Sequence, residues 1–524
     1  MCNRLNKLKN WFLTFKIKIV MKKCVLLLGF LIALFTVPMA AQEEVIVEPG
    51  APGVLNQAIS NPANQGKILV LRRGFPYLST GEIENTGFAL HIKAEAGDGP
   101  RPIIIFSPPA GGAAVDQIFR ARANLTLEGL HLTNRDLLGG VTERIVRTGA
   151  DSISVRMLDC LVDDSGQTAF RLDGKLNRIY ATNTVFSRMG VPSNPDNGRV
   201  IDDRGNDVDT IWIENCVIYN VTSRVIRDGG GKINYVHFNQ NTVANIGQRG
   251  FEWGEVEEFN FTNNIVANGG FLGRQFSLDP TENDIERHVI NMDSTGSGNE
   301  KWVIRNNNFY RNADVVAATP AQQADGDTIQ QQPYFNAKAM GAIMAGGWES
   351  TNIEEELDFT NPPTFSFDFI AKHHAGEGSM ANAWDHSGLT PNAIYSAIGS
   401  MTPRYSESHD FGYPTSAASY TAGTEGQPLG SDLFDFTTST KDLFVENNIL
   451  YYPNPVKDQL FIQNLKAELI AGIRVFNLQG QLIHNQRVNN DYVILQTANW
   501  NAGMYVLSVV DKRGNVSARK FVKK

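Results

Sequence analysis

The chain has 524 residues, 42% of them hydrophobic, with 47 glycines, 22 prolines and a formal charge of −8. That length buries a core with ease and leaves room for more than one domain. The charge is unevenly divided: residues 1–41 hold seven basic residues and no acid, residues 449–524 ten basic and four acidic, and the segment between them thirty basic against fifty-one acidic, a balance of −21. So acidic a chain is excluded as a generic nucleic-acid binder, and affinity for an anionic polymer has to come from a local basic strip.

In chain order, Met21-Lys22-Lys23, the apolar run Val25 to Val37, and Pro38-Met39-Ala40-Ala41 before Gln42 have the three parts of a signal peptide, placed within residues 1–41. The run is short for a membrane-spanning helix, and no other segment is apolar enough to cross a bilayer. A short apolar helix is expected at Val54–Ile59, followed by a strand and a glycine turn. A stacked β-structure needs such a cap, because its first coil otherwise exposes an apolar end and free strand edges.

From about Leu90 to Phe309 one phrase recurs: apolar, any, apolar, any, then an Asn-like anchor. It is read at Leu125–Leu127–Gly129, Val155–Met157–Asp159, Ile179–Ala181–Asn183, Ile211–Ile213–Asn215, Val236–Phe238–Gln240, Phe259–Phe261–Asn263 and Trp302–Ile304–Asn306. The anchors lie 30, 24, 32, 25, 23 and 43 residues apart. Such a period signals a solenoid, and the alternation within each phrase makes its coils of strands. Asn tolerates the left-handed backbone of a tight corner. The fold class is therefore all-β: a right-handed parallel β-helix over residues 42–442, followed by a small C-terminal β-sandwich. Cys160 and Cys216 share the position after the anchor, with the Thr184 coil between them. Two steps of about 4.8 Å exceed the reach of a disulfide, so both read as buried structural thiols.

Counting back from each phrase aligns a second strand: QIFRAR, RIVRTG, TAFRLD, RVIDDR, RVIRDG and RGFEWG. One column then holds Arg120, Arg147, Arg171, Asp202, Arg227 and Glu252, and another, three residues earlier, Gln117, Arg144, Thr168, Arg199 and Arg224. Equal register in a solenoid is a line on one surface. Two readings stand: a groove whose guanidiniums bind carboxylates or sulfates of an extended polymer, with Arg120, Arg147, Arg171, Arg199 and Arg224 binding substrate, or a surface ladder in which Asp173, Asp202, Asp203 and Asp228 neutralise the arginines in place.

A lyase acting on a uronate must neutralise the carboxyl, remove the adjacent proton and protonate the leaving oxygen. Lys232 is the candidate base, with Arg227 or Arg249 on adjacent coils; the plain alternative for Lys232 is a solvated loop lysine. Asp202, Asp203, Asp207 and Asp209 crowd one loop and are the candidate ligands for Ca²⁺, against an Asp-rich turn paired with Arg199 and Arg204. Asp202 with Asp228 or Glu252 is the pair a hydrolase would need. His373-His374 with Glu377, and His386 beside Asp385, lack a compact metal spacing. Trp253, Tyr219 and Trp348 are candidates to stack on sugars, against core or edge packing, the commoner role for such residues.

Residues 312–440 break the rhythm, with a helix expected near Tyr334–Met344 and the rest read as an insertion or lid plus closing coils. The phrase HDFGYPTSAASYTAGTEGQPLGSDLFDF resembles the closing segment of secreted β-helix proteins, a resemblance that covers about residues 45–436. At the end, YYPNPVKDQLFI, IRVFNLQGQLI and WNAGMYVLSVVDKRGNVSARKFVKK resemble the C-terminal sorting domain of type IX secretion, in family order, over residues 449–524. The resemblance implies handling by the secretion machinery, passage through the periplasm, and release or retention at the outer-membrane surface. The solenoid resembles the pectate-lyase and chondroitinase-B-like class, though no motif of that class matches residue by residue. The implied function is a polysaccharide-active protein, leaning to a lyase of an acidic, uronate-containing polymer. A non-catalytic glycan-binding or surface adhesion protein is the alternative.

Overall fold

A computed structural model describes residues 42–97, 99–106, 115–135, 141–190, 195–275, 285–292, 300–320, 326–345, 351–363, 366–367, 369–375, 409–434, 449–464, 470–477, 481–490, 492–511 and 516–524. The leader and Trp348, Glu377, Asp385 and His386 lie outside them.

Among the described residues the chain winds as a parallel solenoid with three long sheets of ten, nine and eight strands. One coil shows the pattern: Leu125–Glu128 in the first sheet, His131–Thr133 in the second, Arg144–Thr148 in the third, then Ser154–Leu158 back in the first. The corner between the first and second sheets is set by the seven anchors. Gly129, Asp159, Asn183, Asn215, Gln240, Asn263 and Asn306 all have φ between 50° and 68°, the left-handed region open to Gly and tolerated by Asn and Asp.

The anchors fix the register, and register stacks like on like. Leu127, Met157, Ala181, Ile213, Phe238, Phe261 and Ile304 pair in sequence along the first sheet and are buried in one core. Phe238 and Phe261 stack at 5.1 Å and 3°. The residue after each anchor also points inward. There a polar ladder begins: Cys216 N–H donates to Asn241 Oδ1 (2.8 Å), Asn241 N–H to Asn264 Oδ1 (2.9 Å), Asn264 N–H to Asn307 Oδ1 (2.9 Å) and Asn307 N–H to Asn352 Oδ1 (3.1 Å). Each amide satisfies a corner N–H that the turn would leave orphaned. Cys160 and Cys216 occupy the same line as buried free thiols; burial pushes them up to about 11 and about 12. The open end is closed by the helix Val54–Ser60, whose Leu55 and Ile59 join the core.

The segment after the last full coil first continues the stack, with parallel bridges Ile290–Phe335 and Asn308–Ile353, and then doubles back. The helix Ala337–Ala345 forms where expected, with Ala339 and Ile343 in the core. Leu357, Phe411, Tyr413 and Leu429 then cover the outer face of the second sheet against Tyr219, Ala244 and Ala267. Residues 424–432 fasten onto the corner anchors: Thr424 N–H donates to Asn263 Oδ1 (2.8 Å), Gln240 Nε2 to Pro428 O (2.8 Å), and Asp432 N–H to Asn215 Oδ1 (2.8 Å). Asn215 thus holds both a left-handed corner and this strap. Asn215→Val puts a β-branched residue at φ 52° and removes the strap's contact, and is expected to cost about 2–4 kcal/mol. A melting curve that matches wild type would refute the double role.

The tail holds two antiparallel sheets, of three strands (from Ile449–Tyr452) and four (ending in Val516–Lys523). Leu460, Ile462 and Leu495 of one sheet and Ile473, Val475, Leu507 and Phe521 of the other share one core, which is the expected small sandwich.

Candidate functional site: the arginine face of the third sheet

The two columns read from the sequence exist residue for residue. Strand pairing aligns Glu84, Arg120, Arg147, Arg171, Asp202, Arg227, Glu252 and Asn291 in one line, and Gln117, Arg144, Thr168, Arg199 and Arg224 in the other. Both face outward because the pairing skips one residue between them. Ile145, Ala169, Val200 and Val225 at the skipped position join the core.

The two rows differ in depth. In the outer row the side chains of Arg147, Arg171 and Arg227 are 24%, 19% and 29% exposed; in the inner row those of Arg144, Arg199 and Arg224 are 7%, 11% and 14% exposed. A ligand therefore meets the outer row, and the inner row sets the field behind it.

Groove and ladder are both present, and their stoichiometry matters. Asp173 is bridged by Arg147 Nε (2.5 Å) and Arg171 Nε (2.9 Å). Asp202 is bridged by Arg199 NH1 (2.9 Å) and Arg227 NH1 (3.1 Å), with Arg204 at 3.9 Å. Glu252 is bridged by Arg224 Nε and Arg249 NH1, both at 2.5 Å. Three carboxylates thus answer six guanidiniums, while Arg144 of the inner row is answered separately by Glu143 and, at 3.9 Å, by Asp116. The terminal nitrogens of Arg147 and Arg171 have no other partner among the described residues. The crowding is visible in the charges. Burial, opposed by Asp202 and reinforced by Arg227 and Arg224, brings Arg199 down to about 10. Burial likewise lowers Arg224, with Arg249 adding to it against Glu252, and lowers Arg144, with Arg171 adding to it. For Asp173 burial acts upward, but hydrogen bonds from Arg171 and Arg147 outweigh it and hold the carboxyl below its usual range.

Other candidates fall elsewhere. Lys232 begins a strand of the first sheet, and its ammonium sits 2.8 Å from Glu257. The hydrogen bond it donates to that carboxylate raises its pKa, which favours the cation over the free amine a base requires. The four aspartates diverge because neighbours on a strand point to opposite sides. Asp202 faces out among arginines. Asp203 turns in, accepting from Gly205 N–H (2.9 Å) and Gly229 N–H (2.6 Å); burial and the adjacent Asp228 push it up to about 8. Asp207 accepts from Lys232 N–H (3.0 Å), and Asp209 lies 3.8 Å from Arg178. Among the described residues no group of three or more metal-binding side chains converges. His374 is buried, with Nε2 2.7 Å from Leu272 O, and burial lowers it to about 4. Trp253 lies in the core and Tyr219 under the strap against Phe411, so neither is open to a sugar.

Sequence reasoning missed a polar chain on the second sheet. His131 Nε2 lies 3.1 Å from Asp163 Oδ2, Arg188 reaches Asp163 (3.1 Å) and Asp164 (3.0 Å), and Arg135 reaches Asp164 (3.1 Å). Adjacent acids in LVDDS, one coil before SRM, were the available signal. All but Arg135 are buried, and opposite charges alternate along the chain, a self-neutralising arrangement that binds coil to coil.

The family model of the secretion system C-terminal sorting domain matches residues 450–524. No curated protein matches the chain. Among solved structures, a DUF3244-family protein with an immunoglobulin-like β-sandwich from Bacteroides vulgatus is 17% identical over 15% of this chain and 85% of its own, with a TM-score of 0.14. The enzymatically active domain of tailspike protein 2 from bacteriophage CBA120 is 12% identical over 92% of this chain and 66% of its own, TM-score 0.21. Tailspike gp49 from the Acinetobacter baumannii bacteriophage Fri1, a capsular polysaccharide depolymerase, is 9% identical over 92% and 78%, TM-score 0.19. Scores this low leave the solenoid to be read from its own strand pairs. Among the described residues no helix is long and apolar enough to cross a membrane. The tail's core, its strand order and the family match converge: residues 450–524 are a type IX secretion sorting domain, and the protein is exported to the cell surface or beyond it.

Proposed function

We propose that this is a secreted polysaccharide-active protein whose third sheet holds an acidic polysaccharide along the solenoid axis. The observation that supports this most directly is that Asp173, Asp202 and Glu252 are each shared by two arginines. Sharing leaves the terminal nitrogens of the outer guanidiniums as donors for carboxylates or sulfates of a ligand. The repeat of about 4.8 Å per coil suits a chain with closely spaced charges.

Cleavage by β-elimination is the finer form of this reading. Outer-row arginines would neutralise the uronate carboxyl. The binding-only alternative uses the same wall without turnover.

The experiment is a uronate and sulfated-glycan panel, with and without Ca²⁺, followed both by retention and by ultraviolet absorbance of the unsaturated ends a lyase leaves. Arg171→Ala/Arg227→Ala is expected to weaken retention tenfold or more, while stability falls by about 1 kcal/mol or less, as for partly exposed pairs. Added salt is expected to weaken the wild type. A double mutant that loses stability but keeps its affinity returns the wall to a ladder, and a panel with no binder at any salt removes the proposal.

A further inference from the structure

The first sheet carries a second surface of a different kind. In the phrase that builds each coil, the residue between the two apolar positions points outward. Strand pairing lines up Arg156, Tyr180, Trp212, His237 and Asn260 at that position on five successive strands, and Tyr235 stands in the neighbouring column beside Thr210 and Glu258. Four aromatic rings therefore occupy three adjacent coils, on a face where a solvated sheet ordinarily carries plain polar side chains.

The rings are fixed in place. Trp212 and His237 stack with centroids 3.8 Å apart and planes 21° apart, and Tyr235 lies 6.3 Å from Trp212 and 6.5 Å from His237. Trp212 Nε1–H donates to Glu214 Oε2 (2.9 Å), and Asn239 Nδ2 donates to Glu214 Oε1 (3.3 Å). Asn260 Nδ2 donates to the Tyr235 hydroxyl (3.3 Å), and the Arg156 guanidinium lies 4.0 Å over the Tyr180 ring. Tyr180, Trp212, Tyr235 and His237 all remain half-buried, not covered.

The charge of this face differs from that of the third sheet. Two of its flanking cations are paired with acids: Lys232 with Glu257 (2.8 Å) and Lys301 with Glu258 (2.7 Å). Burial, opposed by Glu214, lowers His237 below its usual value, which favours the neutral ring in the stack. The one cation in the column, Arg156, lies over the Tyr180 ring. What it offers is apolar ring surface, with amide, hydroxyl and carboxylate groups at its margin. That combination complements the C–H faces and hydroxyl rims of sugar rings. We infer that the Tyr180–Trp212–Tyr235–His237 surface binds an uncharged stretch of polysaccharide. Because its side chains are already held, little ordering is required on binding. With the arginine wall on another sheet, one solenoid then grips a glycan matrix at two points of unlike chemistry, and the two engagements reinforce each other.

The test uses the full chain in affinity electrophoresis through neutral polymers: β-glucan, xylan, mannan and dextran. At least one is expected to retard the wild type, with the retardation unchanged by added salt. Trp212→Ala is expected to weaken that retention about tenfold, and Trp212→Phe to keep most of it. Tyr235→Ala, which removes a peripheral ring, is the second variant should Trp212→Ala fail to fold. Arg171→Ala/Arg227→Ala is expected to leave neutral binding intact, which separates this site from the arginine face. The inference is overturned if no neutral polymer retards the wild type, if Trp212→Ala and Tyr235→Ala bind as wild type does, or if salt or the arginine double mutant abolishes the retention. In that last case the third sheet carries all glycan binding.

Discussion

Without residues 450–524 the solenoid is expected to fold, and the chain to accumulate in the periplasm instead of reaching the surface. The tail makes its own two antiparallel sheets, and its core draws on Val456, Leu460, Ile473, Leu507 and Phe521, with no solenoid residue among them. Among the described residues the solenoid core likewise draws on no tail residue. Deletion therefore removes the sorting signal without opening a cavity, and the truncated protein is expected to melt within a few degrees of the intact one. Fractionation with an antibody to the solenoid reads the outcome. Normal surface levels of the truncated chain would show that the tail is a passive module, and loss of the folded solenoid would show that the two cores depend on each other.

What could be read before the structure was whatever repeats. The anchors were legible because a left-handed corner admits few residues, and all seven sit at positive φ. The arginine columns were legible because a solenoid converts spacing into register, so counting back from Asn215 to Asp202 and from Asn183 to Arg171 placed both on one line. The aromatic surface obeyed the same rule and was still missed. Tyr180, Trp212 and His237 fill the unconstrained slot of the phrase, where a single coil gives no reason to look. Trp253 takes the commoner of its two roles, core packing, because it lies one residue past the outward column and so points inward.

Two things had no local signal. The strap at residues 424–432 touches Asn215 from more than two hundred residues away, and sequence separation says nothing about which face a returning segment covers. The aspartates of IDDRGNDVD looked convergent because they are near in sequence. On a strand and its turn, alternation separates them: Asp202 goes to the arginines, Asp203 to the glycine amides and Asp207 to the backbone of the next coil. Density along the chain is a poor guide to proximity wherever the side-chain period is two.

The ladder that starts at Asn241 yields the largest change in stability. Asn264 is fully buried. Its Oδ1 accepts from Asn241 N–H (2.9 Å) and Asn241 Nδ2 (3.1 Å), and its Nδ2 donates to Phe238 O (2.9 Å) and Asn307 Oδ1 (3.0 Å). Asn264→Ala strips four partners in a dry interior. Each orphaned group costs about 1–3 kcal/mol, and the small cavity adds to that, so a total of roughly 4–6 kcal/mol is expected even if neighbours relax. Asn264→Thr is the informative companion. Thr184 already fills this line three coils earlier, where its Oγ1 accepts from Cys160 N–H (3.2 Å) and donates to Thr182 O (2.9 Å). A threonine at 264 can keep the corner N–H of Asn241 satisfied while losing the contact with Asn307, and is expected to cost about half as much as alanine. Denaturant melts of the two variants distinguish the causes. If alanine and threonine cost the same, the corner hydrogen bond is not what Asn264 contributes, and its value lies in filling volume. If threonine recovers the larger share, the inward line after each anchor is held by backbone satisfaction, and the solenoid's coils are locked to one another through a single row of side chains.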